Sequence, residues 1–210
     1  MYTLYYAPGT ASMAVHQTLI ELGAPHELRL VDLEAKAQKD SEYLRLNPNG
    51  TVPTLIVDGA PVYECAALLL LLGERHAESG LAPAAGTALR ALYLQWMVHF
   101  ANTLQPAFRQ WFYPPDFGPA DAEAAMKSAA AGRIAGVWDR LDSHLANNGP
   151  YVLGQTFSIA DLYATMLMRW SRNMPKPATE WPALAALASR VKARPSWKQL
   201  YATEGLSEWA

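Results

Sequence analysis

The sequence predicts a small α/β domain followed by an all-helical one. Three observations carry that expectation. Short β-prone runs alternate with helical periods through roughly the first eighty residues, a stretch of small breaker residues follows at 79–88, and no strand-like pattern appears after residue 88. Of the 210 residues, 51% are hydrophobic and 17% charged, enough apolar side chain to bury a core. The formal net charge of −2 gives no electrostatic reason to expect nucleic acid or a membrane surface as partner. Cys65 is the only cysteine, so no intrachain disulfide forms, which suits a reducing compartment. The start, Met-Tyr-Thr-Leu-Tyr-Tyr, lacks the basic and apolar regions of a signal peptide, and the longest apolar run, Ala66 to Leu72, is too short to span a bilayer. A cytoplasmic protein is expected.

Residues 2–6 are aromatic and β-prone and stop at Pro8-Gly9, so they read as a strand followed by a turn over 7–10. A helix is expected from Ser12 to Leu22, with Val15, Thr18, Leu19 and Leu22 on its buried stripe and Gly23 ending it. Glu27 to Val31 alternates as a second strand, and residues 40–46 read as a short helix. Thr54 to Val57 is an apolar run closed by Asp58-Gly59, a hairpin signal, with its partner strand around Pro61–Tyr63. Pro53 stands just before this run, where its missing N–H costs the sheet nothing. A helix then spans about Cys65 to Ala77. The order βαβαββα implies a parallel crossover plus an antiparallel edge hairpin, the arrangement of a thioredoxin-like domain. The expected division is 1–78 for this domain, 79–88 for a linker and 89–210 for the helical domain.

In the second half, a long helix is expected over Ala88 to Phe112, kinked at Pro106, and another over 120–146 that ends near Asn147-Asn148-Gly149. Ser158-Ile159-Ala160-Asp161 opens a third, with Ser158 as N-cap, Asp161 as its capping-box partner and Phe157 and Leu162 as staple. Trp181-Pro182 and Pro195-Ser196 open two more.

Five features point to one chemistry. Thr10 and Ser12 carry hydroxyls at a helix N-terminus, where backbone N–H groups and the dipole stabilise an anion and lower a thiol's pKa; Ser12 can equally serve as the helix cap. Tyr5 and Tyr6 alternate in direction, and one of them, Tyr6, is a candidate hydroxyl beside that turn. Glu64 and Cys65 open a helix whose free N–H groups suit a carboxylate while Glu64 suits an ammonium; first-turn dipole complementation is the plain alternative. Lys36, in the loop after the second strand, can meet a second carboxylate or stay solvated. The backbone of Val52 beside Pro53 can pair with a peptide-like ligand as a short added strand. A ligand with an amino-acid head, a central thiol and a terminal carboxylate uses all of these, and glutathione has those parts. Five scattered histidines show no metal-ligand spacing, so no metal is implied.

The chain resembles the cytosolic glutathione transferases over nearly its full length, most of all the bacterial beta group. The resemblance rests on Leu-Tyr-Tyr-Ala-Pro-Gly-Thr-Ala-Ser, Asn-Pro-Asn-Gly-Thr-Val-Pro-Thr-Leu, Tyr-Glu-Cys-Ala-Ala-Leu and Leu-Gly-Gln-Thr-Phe-Ser-Ile-Ala-Asp-Leu-Tyr. It implies a cis Pro53, with Val52 pairing to the cysteinyl part of glutathione, Glu64 and Cys65 at the γ-glutamyl end and Lys36 near the glycine carboxylate. It also implies glutathione as co-substrate, an apolar small-molecule electrophile as partner, a role in detoxification and a homodimer. The co-substrate pocket would draw on the kinked helix, with His99, Asn102 and Gln105 as candidates beside Trp96, Phe108 and Trp111. The chain departs from the beta group at Ala11, where that group has a cysteine, at Cys65, where it has serine, and at Gln105, where it has histidine. Loss of the turn cysteine removes mixed-disulfide chemistry and leaves thiolate stabilisation to Thr10, Ser12 or Tyr6. A glutathione-dependent isomerase or dehalogenase is the rival enzyme, disfavoured because the first helix offers His16 and no arginine for an acidic substrate. A non-catalytic glutathione-binding protein is the rival outside enzymes.

Overall fold

The computed structural model describes residues 1–209. The first elements are β1 (Tyr2–Tyr6), α1 (Ser12–Glu21), β2 (His26–Leu30), α2 (Ser41–Leu46), β3 (Thr54–Val57), β4 (Ala60–Tyr63) and α3 (Cys65–Arg75). The strands form one sheet in the order β2-β1-β3-β4. β1 is parallel to β2 and antiparallel to β3, and β3 with β4 makes the antiparallel hairpin. Both turn residues, Asp58 and Gly59, have positive φ, as a tight Asp-Gly hairpin requires. This is the expected thioredoxin-like order, followed by a helical half.

Local differences have local causes. β2 begins one residue earlier than expected because its register is set by β1, from Tyr2 opposite His26 to Tyr6 opposite Leu30. As an exposed edge strand it has no apolar face to pin its ends. α1 is buried continuously from Ser12 to Leu19, with Leu22 only half-buried. It is covered by β1, by α3 and by the last helix, α9 (Pro195–Glu204).

That covering decides how the fold divides by packing. One compact unit comprises 1–82 together with 192–210, and the other 83–191. The final segment does not stay with the helical half, because polar ties fasten it to α1. Arg194 donates from Nε and Nη2 to the Glu21 carboxylate at 2.6 and 2.7 Å, and Ser196 Oγ donates to the same group.

In the second unit, the expected single kinked helix is broken. α4 (Ala88–His99) runs into a π-helical turn, Phe100–Leu104, before α5 (Gln105–Phe112) resumes. Pro106 lacks an N–H and its ring crowds the carbonyl four residues back, so the wider turn falls just before it. α6 (Glu123–Asn148) follows, then α7 (Ile159–Trp170) and α8 (Pro182–Lys192). α7 is buried from Ile159 to Arg169 and forms the middle of this unit's core with Tyr93, Phe100, Phe108, Trp138 and Leu141. Its capping box is present: Ser158 N–H donates to Asp161 Oδ2 at 2.7 Å. A further donor, Val152 N–H, reaches Asp161 Oδ1 at 2.7 Å. Among the described residues no helix is long and apolar enough to cross a membrane.

Candidate active site

The first unit gathers three segments that lie far apart in sequence. The turn after β1 carries Thr10 and Ser12. The loop before β3 ends in a cis Val52–Pro53 bond. The start of α3 carries Glu64 and Cys65. Pairing of Tyr5 with Thr54 sets the end of β1 beside the start of β3, and pairing of Thr54 with Tyr63 brings the start of α3 alongside. Cys65 Sγ donates to the Ala11 carbonyl at 3.3 Å, and Asn49 Nδ2 donates to Glu64 Oε1 at 3.4 Å. These two contacts link the segments directly.

Each segment is held by its own bonds. Tyr43 Oη and Asn47 Nδ2 both donate to the Thr51 carbonyl, at 2.7 and 2.8 Å, and both reach Thr54 Oγ1. They fix the approach to Pro53 while the Val52 N–H and C=O keep no hydrogen-bond partner among the described residues. Gly50 sits at φ +58, and a Cβ there would meet Lys39 Nζ at 2.7 Å and the Gln38 carbonyl at 2.9 Å, so only glycine fits. Glu64 has φ +78, a sparsely populated backbone for a side-chain-bearing residue, of the kind that clusters at ligand clamps.

In the turn, α1 begins at Ser12 with Ala11 as its N-cap residue, so Ser12 is not the cap. Ser12 is fully buried; its Oγ accepts from Ala7 N–H at 3.2 Å and lies 3.0 Å from the Ala7 carbonyl. Thr10 is half-exposed, with Oγ1 2.8 Å from the same carbonyl and 2.9 Å from Ser12 Oγ. Tyr6 lies to one side, its ring centroid 6.0 Å from that of His16; burial, then the charge of Glu204, raise its phenol above the usual 10.0. Cys65 is buried, and burial followed by the Glu64 charge pushes its thiol far above the range in which a thiolate forms at neutral pH. It is a weak donor here and no nucleophile.

Glu204 escaped sequence reasoning. From the end of α9 its carboxylate accepts from Gly9 N–H at 3.1 Å and from His16 Nδ1 at 2.8 Å, with its side chain fully buried. Nothing local in the sequence couples residue 204 to residue 9. The same bond removes His16 from any role toward an acidic substrate. Lys39 Nζ donates to the Asn49 carbonyl at 3.3 Å; Lys39 and Lys36, the latter at φ +61, are both solvent-exposed.

The second unit holds the co-substrate candidates. His99 is half-buried, its ring 5.8 Å from Trp96, which in turn lies 5.1 Å from His144. Burial, then the charge of Arg140, lower its pKa, so the imidazole is neutral. Asn102 is exposed, and Gln105 Oε1 accepts a hydrogen bond from Tyr163 Oη. Trp96 and Phe108 are core residues. Phe112, the last residue of α5, and Tyr113 and Phe117 beyond it are exposed aromatic side chains, and for the latter two periodicity gave no signal because they lie outside the helix.

The first unit is a thioredoxin-like sheet with an open backbone edge at a cis proline and a polar helix start, and a helical half follows it in sequence. Comparison with known proteins gives the family. Residues 11–75 match the model of the glutathione S-transferase N-terminal domain, and 102–204 that of the C-terminal domain. A glutathione S-transferase, GST-4.5, of Xanthomonas campestris pv. campestris is 30% identical over 97% of this chain and 99% of its own. The crystal structure of a glutathione transferase homolog from Sulfitobacter with bound glutathione superposes with a TM-score of 0.90 at 27% identity, over 99% of each chain. A beta-class glutathione S-transferase of Sphingomonas chungbukensis gives 0.85 at 29% identity, over 98% of this chain and 100% of that one. The chain belongs to the glutathione S-transferase family of enzymes.

Proposed function

We propose that this protein conjugates the thiolate of glutathione to a mostly apolar electrophile. The observation that carries the reading is the convergence of the Thr10–Ser12 turn, the open Val52 backbone and the Glu64–Cys65 helix start in one unit, joined by the Cys65–Ala11 and Asn49–Glu64 contacts. Glutathione bound to the Sulfitobacter homolog supports the choice of tripeptide. In this reading Val52, beside Pro53, pairs with the cysteinyl backbone and Glu64 takes the γ-glutamyl ammonium. The N–H groups opening α3 at Cys65 take the γ-glutamyl carboxylate, and Lys36 the glycine carboxylate. The thiol then reaches the turn, where Thr10, Ser12 and Tyr6 offer hydroxyls and the helix N-terminus favours the anion. The thiol proton leaves to water, the sulfur attacks the electrophilic carbon, and a leaving group departs or the electrophile's π-bond takes the electron pair.

The co-substrate pocket is proposed on α4 and α5, at His99, Asn102 and Gln105, with exposed Phe112 and Tyr113 adding apolar surface. A homodimer and a cytoplasmic location belong to the same proposal. Exposed Leu94 and Val98, one turn apart on α4, supply apolar surface for a second copy. The test is titration calorimetry with glutathione on the native protein and on Glu64→Ala. Binding weakened at least about tenfold in the variant, the cost of one lost charge-assisted contact, is expected. Equal binding by both proteins would remove the clamp from the account.

A further inference from the structure

Three hydroxyl contacts in the turn share two hydrogens. Thr10 Oγ1 and Ser12 Oγ each lie within donating distance of the Ala7 carbonyl, at 2.8 and 3.0 Å, and within 2.9 Å of one another. Ala7 is 4% exposed, so its carbonyl and N–H draw on protein partners. Each hydroxyl has one hydrogen and two acceptor lone pairs, and its hydrogen rotates to suit its neighbours. Two arrangements keep a hydroxyl hydrogen on the Ala7 carbonyl. In one, Thr10 donates to the Ala7 carbonyl and Ser12 donates to Thr10. In the other, Ser12 donates to the carbonyl and the Thr10 hydrogen is released from it. Throughout, Ser12 Oγ accepts from Ala7 N–H at 3.2 Å, Thr10 Oγ1 accepts from Ser12 N–H at 3.3 Å, and Thr10 N–H adds a long bond of 3.3 Å to the carbonyl.

The two hydroxyls differ in access. Ser12 is 0% exposed while Thr10 is half-exposed. Only Thr10 can turn its hydrogen outward to a ligand sulfur without opening the backbone. Resting on the glutathione reading, we infer that Thr10 is the catalytic hydroxyl and Ser12 its positioning residue: Ser12 takes over the Ala7 carbonyl when Thr10 releases it to bond the thiolate. No proton changes owner between the two residues. The thiol proton goes to water, Thr10 keeps its own, and the pair exchanges hydrogen-bond partners by rotation about two C–O bonds. The turn thereby changes from a closed to a donating arrangement while a hydroxyl stays on the Ala7 carbonyl beside the long Thr10 N–H bond, which a lone serine or threonine cannot do.

The experiment is the pH titration of thiolate ultraviolet absorbance for glutathione bound to the native protein and to Thr10→Val, Thr10→Ser and Ser12→Ala, with glutathione affinity measured alongside. A hydrogen bond to a charged group moves an ionisation by about one to two pH units. Thr10→Val is expected to raise the bound thiol's pKa by that amount with little change in affinity, and Thr10→Ser to restore the native value. Ser12→Ala is expected to raise it by a smaller step, because Thr10 is then drawn back to the carbonyl. A role for Ser12 confined to stability would lower the melting temperature and leave the thiol pKa alone. If Ser12→Ala does not fold, Ser12→Cys, a weaker donor, takes its place with the same expected direction. A native thiol pKa in Thr10→Val, or a shift produced by Tyr6→Phe instead, overturns the assignment to Thr10. A native pKa in a folded Ser12 variant overturns the exchange. Absence of glutathione binding by the native protein is a different result: it removes the function reading, and the inference with it.

Discussion

Asp161 is a carboxylate that sequence reading assigns to capping, and its bonds agree. Its two oxygens accept from Val152 and Ser158 N–H groups, both at 2.7 Å, in a fully buried setting. Replacing it with alanine strands two buried donors, each costing about 1–3 kcal/mol. Asp161→Ala is therefore expected to lose about 3 kcal/mol in urea unfolding; a loss under about 0.5 kcal/mol would show that water replaces the carboxylate freely. The Ser158–Asp161 half was legible because a capping box has a fixed local spacing. The Val152 half was not, since a loop residue meeting a helix start leaves no period. Thr10 and Ser12 show the same division. Their hydroxyls beside a helix start were readable, yet which of them faces solvent depends on Ala7, whose alanine side chain signals nothing.

At the scale of elements, α1 and α9 form the least expected pair. Glu21 ends α1 and meets Arg194 and Ser196 at the start of α9. Burial alone would raise the Glu21 carboxyl, but hydrogen bonds from Arg194 and Ser196, then the Arg194 charge, hold it below its ordinary 4.5. A carboxyl with a lowered folded pKa binds its proton less tightly in the fold, so the unfolded chain takes up protons first as pH falls. Its contribution to stability is full above about 4.5 and is lost progressively below it. Chemical denaturation from pH 7 down to pH 3 is expected to show a smaller acid loss of stability in Glu21→Gln than in the native protein; equal slopes would show that the pair contributes nothing. The sequence placed both helices but not their pairing. Helix periodicity reports that an apolar face exists and not which partner covers it.

For the whole molecule, the alternation of strands and helices made the first fold class legible, and the absence of strand patterns made the second so. The packing of the final residues was not legible because their helical composition matches that of the preceding half, and contacts 173 to 195 residues apart in sequence decide where they pack. Ligand linkage is a molecule-wide consequence. Glutathione at about a hundred times its dissociation constant stabilises a protein that binds it only when folded by about 2.7 kcal/mol, a shift of a few degrees in melting temperature. An unchanged melting temperature at saturating glutathione would contradict a preformed site.

The central claim, transfer of the glutathione thiolate to an electrophile, is tested most directly by the steady-state rate of thiol consumption with glutathione and an activated aryl halide. Enzyme-dependent turnover that saturates in glutathione and falls at least about tenfold in Thr10→Val is expected, the equivalent of one lost hydrogen bond to a developing charge. Glutathione binding without enzyme-dependent turnover of aryl halides, epoxides or activated alkenes would contradict it and leave a binding protein in its place.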